Sequence, residues 1–224
     1  MAASITLYRF LAAEWALESL RKRRLRISRI AELNDPFEWR VGTIAETLQQ
    51  AEAGRLTFDA FLERINNQWG IVSMSAEATD PVIWSHYADS HKGIALEFDH
   101  YRDSGLYAIA YSHALPTFDV TKFISAGLGE DYIQGVLRAA LCRKSITWGY
   151  EREYRSHLDL IKCDKEDGHY FSQISDNFLK RVILGIRCEV TKADVEAALA
   201  QGGFTDIEVV QARMSETAYE ILCD

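Results

Sequence analysis

The stretch Ile71–Asp99, IVSMSAEATDPVIWSHYADSHKGIALEFD, constrains the chain more than any other, because it specifies a strand, a capped helix and a second strand in immediate succession. Ile71 to Ser75 alternates apolar and hydroxyl residues, the period of a half-buried strand. Asp80-Pro81 is a strong helix start: a carboxylate that accepts from first-turn amides, then a residue that needs no amide partner. His91-Lys92-Gly93 is the expected stop, with basic residues at the negative end of the helix and glycine beyond it. Ile94 to Phe98 then reads as a buried strand. Helical spacing sets Trp84, Tyr87 and His91 on one face and Val82, His86 and Asp89 on another. A helix made for packing alone does not need two aromatics, two histidines and an aspartate within Trp84–His91, although Trp84 and Tyr87 also suit a core.

Composition bounds the class. A chain of 224 residues with 48% hydrophobic and 26% charged residues suits a single domain spanning residues 1–224. A net charge of −8 argues against non-specific duplex binding, which needs a broad positive field. Cys142, Cys163, Cys188 and Cys223 are far apart without a C-x-x-C pair, so free thiols in a reducing cytosol are expected. With no signal-like start and no membrane-length apolar run, the expectation is a cytoplasmic protein without a membrane partner.

Elsewhere, Ile5–Phe10 reads as a strand, Ala12–Arg21 as a helix and Leu25–Ser28 as a second strand. The run Arg21-Lys22-Arg23-Arg24 between them is either a phosphate patch or a solvated helix end. Asn34-Asp35-Pro36-Phe37-Glu38-Trp39 is turn chemistry between aromatics, a structural corner or a pocket wall. Residues 42–68 suggest an inserted helical layer in two pieces broken at Gly54, the second capped by Thr57 and striped with Phe58, Phe61, Leu62 and Ile65. Residues 106–111 read as a strand and 118–141 as mostly helical. From Glu153, Tyr154, Ser156 and Leu158 face one way and Glu153, Arg155, His157 and Asp159 the other, so one face is ionisable: solvent-exposed or a cleft wall. A strand at 178–187, a helix capped by Thr191 and Asp194 and stopped by Gly202, a strand at 206–214 and a last short strand near Tyr219 complete the pattern. The expected class is α+β, with mixed or antiparallel strands around a central cleft, helices early and strands late.

Several of these motifs together, Tyr8-Arg9-Phe10, Asn34-Asp35-Pro36-Phe37-Glu38, Ser73-Met74-Ser75, Trp84-Ser85-His86-Tyr87-Ala88-Asp89 and Trp148 to Arg155, resemble a bacterial family catalogued as domain-of-unknown-function 2971. Their order, an arginine on the first strand, Ser-x-Ser on a middle strand and Glu-x-Glu before a late one, also resembles the R-S-E pattern of ADP-ribosyltransferases. That resemblance implies an ADP-ribosyltransferase-like fold and NAD as substrate, with no metal. It implies that Arg9 holds phosphate or ribose, Ser73 with Ser75 sets the ribose, Glu153 is the catalytic carboxylate and Glu151 polarises the acceptor. Trp84 or Tyr87 would stack on nicotinamide, with His86 beside them. The acceptor, whether protein, nucleic acid or water, is left open. Two other readings stay open: a metal-assisted nuclease built from His86, Asp89, His91, Glu151 and Glu153, and a non-catalytic ligand-sensing module in stress or phage defence.

Overall fold

The computed structural model describes residues 4–44, 47–101, 105–119, 135, 138–175 and 177–224. Chain order begins with β1 (Ser4–Leu11), α1 (Ala13–Arg21), β2 (Arg24–Arg29), β3 (Gly42–Ile44), α2 (Leu48–Gln68), β4 (Trp69–Ser75), α3 (Pro81–Tyr87) and β5 (Ile94–Tyr101). It continues with β6 (Leu106–Ala108), β7 (Ala110–Ser112), β8 (Thr117–Asp119), β9 (Arg143–Ser145), β10 (Glu153–Asp159), β11 (Asp164–Glu166) and β12 (His169–Gln173). The end is β13 (Leu179–Leu184), α4 (Lys192–Gln201), β14 (Glu208–Gln211), β15 (Arg213–Met214) and β16 (Ile221–Leu222). The architecture is α+β, and its main sheet is antiparallel except where β13 pairs with β14. Strands are spread along the chain, not gathered late as the hydrophobic pattern suggests.

The sheet forks at β4. One edge of β4 runs along the whole of β10. Its other edge is shared, by β1 where Tyr8 meets Ser75 and by β2 where Ser28 and Arg29 meet Ile71 and Gly70. The near crossing of β2 requires glycine at position 70, because a Cβ there would stand 2.3 Å from the Ile27 side chain and 2.7 Å from that of Leu160. β1, β5, β13 and β14 form one arm of the fork, and β2, β12 and β11 the other. One face of the sheet carries the main core: Leu7, Val72, Met74, Leu96, Phe98 and Val182 pack with Leu17 and Leu20 of α1 and Val195 and Leu199 of α4. On the other face Phe10, Ile83, Trp84, Ala95 and Ile183 form a second cluster that seats α3.

Two local expectations change, and a third lies mostly outside the described residues. α2 runs unbroken through Gly54, since one glycine inside a helix costs only about 1 kcal/mol and does not interrupt the ladder. Leu62 and Ile65 are partly or fully buried on it, whereas Phe58 and Phe61 lie outside the described side chains. α3 ends at Tyr87, four residues early, because Asp89, Ser90 and His91 all take positive φ. Gly93 then passes where a Cβ would meet the Leu11 carbonyl at 2.1 Å. Most of the helix expected over 118–141 lies outside the described residues, and residues 138–141 are helical. The expected caps form: Asp80 accepts from the Val82 amide at 2.7 Å, and Thr191 and Asp194 make a reciprocal capping box.

Candidate functional site

The fork leaves a cavity of about 350 Å³ between its arms, lined among others by Arg9, Ser73, Ser75, His86, Tyr87, Glu151 and Glu153. Residues as distant in sequence as Arg9 and Glu153 meet there for a topological reason. β4 lies between β1 and β10, so Ser73 and Ser75 have β10 on one side and the fork on the other. Between the places where β1 and β2 hold the β4 edge, the Ser73 carbonyl accepts from Arg9 Nη1 at 2.6 Å. Arg9, Ser28 and Glu32 also line a neighbouring cavity of about 570 Å³ along α1 and β2.

Period-2 alternation turns Glu153 and Arg155 of β10 inward, so the ionisable face is a buried wall and not a solvated surface. Arg155 is 1% exposed. Its Nε donates to Glu153 Oε1 at 2.7 Å, its Nη2 to Glu153 Oε2 at 2.9 Å, and its Nη1 to the Leu141 carbonyl at 3.1 Å. Nη2 also pairs with Glu38 at 2.5 Å, a carboxylate delivered by the turn chemistry at 34–39. Lys144, on β9, donates to Glu151 at 2.6 Å and Glu153 at 3.3 Å and forms an ion pair with Glu38 at 3.4 Å. Three carboxylates thus surround two cations.

The two glutamates of the Glu-x-Glu motif are treated differently. Burial alone would raise Glu153, but Arg155, Lys144 and a hydrogen bond from the Ser73 hydroxyl pull its pKa down to about 2. Two Arg155 donors, one from Lys144 and one from Ser73 occupy all of the roughly four acceptor positions of a carboxylate. Glu151 is raised above the ordinary carboxylate value by burial and by Glu153, against the opposing pull of Lys144 and Tyr87. It accepts from Lys144 and from the Tyr87 hydroxyl, which leaves acceptor capacity free. The Tyr87 hydroxyl accepts in turn from Asn34 Nδ2 at 3.2 Å, and burial together with Glu151 pushes its pKa up. His86 Nδ1 lies 3.0 Å from the Tyr150 hydroxyl at the rim, beside Trp148.

Two expected ligand contacts are replaced by structural ones. Trp84 does not line the cavity: it is fully buried, edge-on to Phe10 with ring centroids 5.0 Å apart, and its Nε1 donates to the Ala78 carbonyl at 2.7 Å. Helical spacing shows which residues share a face but not which face meets the sheet. Ser75 lines the cavity, but its hydroxyl donates to the Glu151 carbonyl at 2.5 Å and accepts from the Glu77 amide, tying the two loops together. The residues proposed as metal ligands are not brought together either: His91 lies by Pro81 and Arg187 in a different cavity from His86, Glu151 and Glu153. Among the described residues no group of three His, Cys, Asp or Glu is arranged to hold a metal ion, and no described helix is long and apolar enough to cross a membrane.

Lys144, Glu38 and Arg155 complete the site, although sequence order did not select them for it. The signal was available in the 34–39 turn and in the inward parity of Arg155. Part of the basic run after α1 is tied into the fold, while Arg21 and Lys22 are exposed at the helix end. Arg23 holds the Ile174 carbonyl at 3.0 Å, and Arg24 rests 3.6 Å from the Phe171 ring centroid while pairing with Glu166 at 2.7 Å. Comparison with known proteins finds no matching family model, no similar curated protein and no similar solved structure.

Proposed function

We propose that the forked cleft binds NAD and that the protein is an ADP-ribosyltransferase-like enzyme or NAD glycohydrolase, a member of the bacterial family its motifs resemble. The observation that carries this reading is the convergence of Arg9, Ser73, Tyr87, Glu151 and Glu153 on one cavity. Arg9 stands where that cavity meets its larger neighbour, a position suited to the pyrophosphate between the two halves of a dinucleotide.

In the reaction, the bond between ribose C1′ and the nicotinamide nitrogen breaks and its electron pair returns to the pyridinium ring, releasing neutral nicotinamide. Positive charge develops on the ribose, as in glycoside hydrolysis. Four carboxylates in the cavity lining, Glu32, Glu38, Glu151 and Glu153, against the three cations Arg9, Lys144 and Arg155 give that charge a net negative, fixed surrounding. An acceptor hydroxyl then attacks C1′, and its proton goes to Glu151, whose raised pKa and free acceptor capacity suit a base. Glu153, with its lone pairs filled, holds Arg155 and Lys144 in place. This exchanges the leading role that sequence order gives Glu153 for one at Glu151.

Calorimetric titration of NAD with a parallel assay of free nicotinamide tests the reading. Wild type is expected to bind and turn over NAD. Glu151→Gln should bind within a fewfold and lose at least about 100-fold in nicotinamide release. Absence of NAD binding by wild type would refute the assignment. The saturation of Glu153 favours a second reading, a sensing module that binds without cleaving, and NAD bound with no nicotinamide released would select it.

A further inference from the structure

Arg9 is not the only arginine at the seam between the two cavities. β1 and β2 hold the β4 edge at separate places, which leaves a gap between the two strands. Arg9 of β1 and Ser28 of β2 line both the 350 Å³ cavity and its 570 Å³ neighbour, and Arg26 of β2 lines the larger one beside them.

The cations of the larger cavity are not equivalent. Lys22 and Arg24 both donate to Glu166 at 2.7 Å, so their charge is met within the fold. Arg26 has only Glu32, at 3.6 Å, and that carboxylate already accepts from the Arg29 side chain at 3.0 Å and from its amide. Arg9 makes no ion pair with a described carboxylate, and its one hydrogen bond runs from Nη1 to the Ser73 carbonyl at 2.6 Å. Glu153 acts on Arg9 through its charge, but its acceptor positions are filled by Arg155, Lys144 and Ser73. Arg9 Nε and Nη2 and the Ser28 hydroxyl have no partner among the described residues, yet none of them is closed off from water, as Arg24 Nε is. They face open space. Burial lowers the Arg9 pKa, Glu153 raises it and Arg26 lowers it, so the two guanidiniums stand within each other's field. Two like charges without a carboxylate that pairs with both are costly unless an anion joins them.

A guanidinium fork meets phosphate oxygens two at a time, so two arginines and a hydroxyl match two linked phosphates better than one. The seam opens into a cavity on either side, so the anion it suits carries a substituent at each end. We infer that Arg9, Arg26 and Ser28 form a clamp for the two phosphates of a doubly substituted diphosphate ester, with Arg26 selecting two phosphates over one. This rests on the dinucleotide placement proposed above, and it adds β2 to the binding surface.

The test is calorimetric titration of the whole protein with ADP-ribose, a doubly substituted diphosphate with no nicotinamide to lose, and with AMP, which has one phosphate. One ADP-ribose should bind per chain, at least about tenfold more tightly than AMP. The Arg26 side chain is 50% exposed, so Arg26→Gln should melt close to wild type. It should weaken ADP-ribose by roughly tenfold and AMP by no more than about threefold, and Arg26→Lys should recover part of the loss. If ADP-ribose binds through Arg26 while NAD neither binds nor loses nicotinamide, the clamp stands and the NAD assignment falls. No saturable binding of ADP-ribose, equal affinity for AMP, or an ADP-ribose affinity unchanged by Arg26→Gln would overturn the clamp.

Discussion

Glu153 and Glu166 are both held near pKa 2, and they stand in opposite surroundings. Glu153 is 6% exposed inside the network of Arg155, Lys144, Glu38 and Glu151. Glu166 belongs to a surface network with Lys22 and Arg24, and nearly half of its side chain meets solvent. For Glu166 the cause is direct hydrogen bonds from Arg24 and Lys22. For Glu153 the cations must first overcome burial, which acts the other way. A similar acidity therefore reports two different energies. At the surface, water and salt replace a lost partner, whereas inside the fork nothing does.

Breaking the buried network should have the largest effect. Arg155→Met leaves Glu153 and Glu38 without their main cation and should cost about 3–5 kcal/mol in urea denaturation. A loss under about 1 kcal/mol would place the network on the same footing as the surface one. Glu153→Gln should cost roughly 3 kcal/mol at pH 7, because a pKa drawn from 4.5 down to about 2 measures how strongly the fold prefers the charged form.

The same preference has a pH signature. Glu153 contributes stability that is fully present above pH 4.5 and lost as pH falls through about 2. Thermal melts of wild type should therefore fall steeply across that window, and those of Glu153→Gln less so. Neutral His100 and His157, with pKa values lowered from 6.5 to about 4, add a loss that develops as pH falls from 6.5 through 4. Glu151 is raised, so its sign is reversed: the folded state disfavours its charge, and that cost is relieved on acidification. Glu151→Gln should accordingly melt at or slightly above wild type at pH 7, and a large destabilisation would mean that its charge is structural. The smallest effect belongs to Glu166→Gln, whose melting temperature at physiological salt should match that of wild type. A clear drop that persists in 1 M salt would erase the contrast between the two networks.

Much of the lining of the candidate cleft is legible in the sequence. Arg9, Ser73, Tyr87, His86 and the two glutamates of residues 151–153 were singled out by residue type and order, and all line one cavity. What escaped was the division of labour among them. Glu151 and Glu153 look equivalent as Glu-x-Glu, and only the positions of Arg155, Lys144 and Ser73 fill one and leave the other with spare capacity. Trp84 could not be assigned to core or cavity from spacing, because that depends on how α3 is rotated over Phe10 and Ile183.

The sequence by itself determined what short-range chemistry controls: the caps at Asp80 and Thr191, the alternation of β4 and β10, and the course of α1. These depend on contacts within a few residues, which local geometry dictates. Tertiary structure decided the fork at β4, the burial of the ionisable face of β10 and the early end of α3. Each of those depends on partners from distant parts of the chain. A strand's alternation names its two faces but not which one meets solvent, and a charge becomes a buried anchor only when opposite charges arrive from elsewhere in the chain.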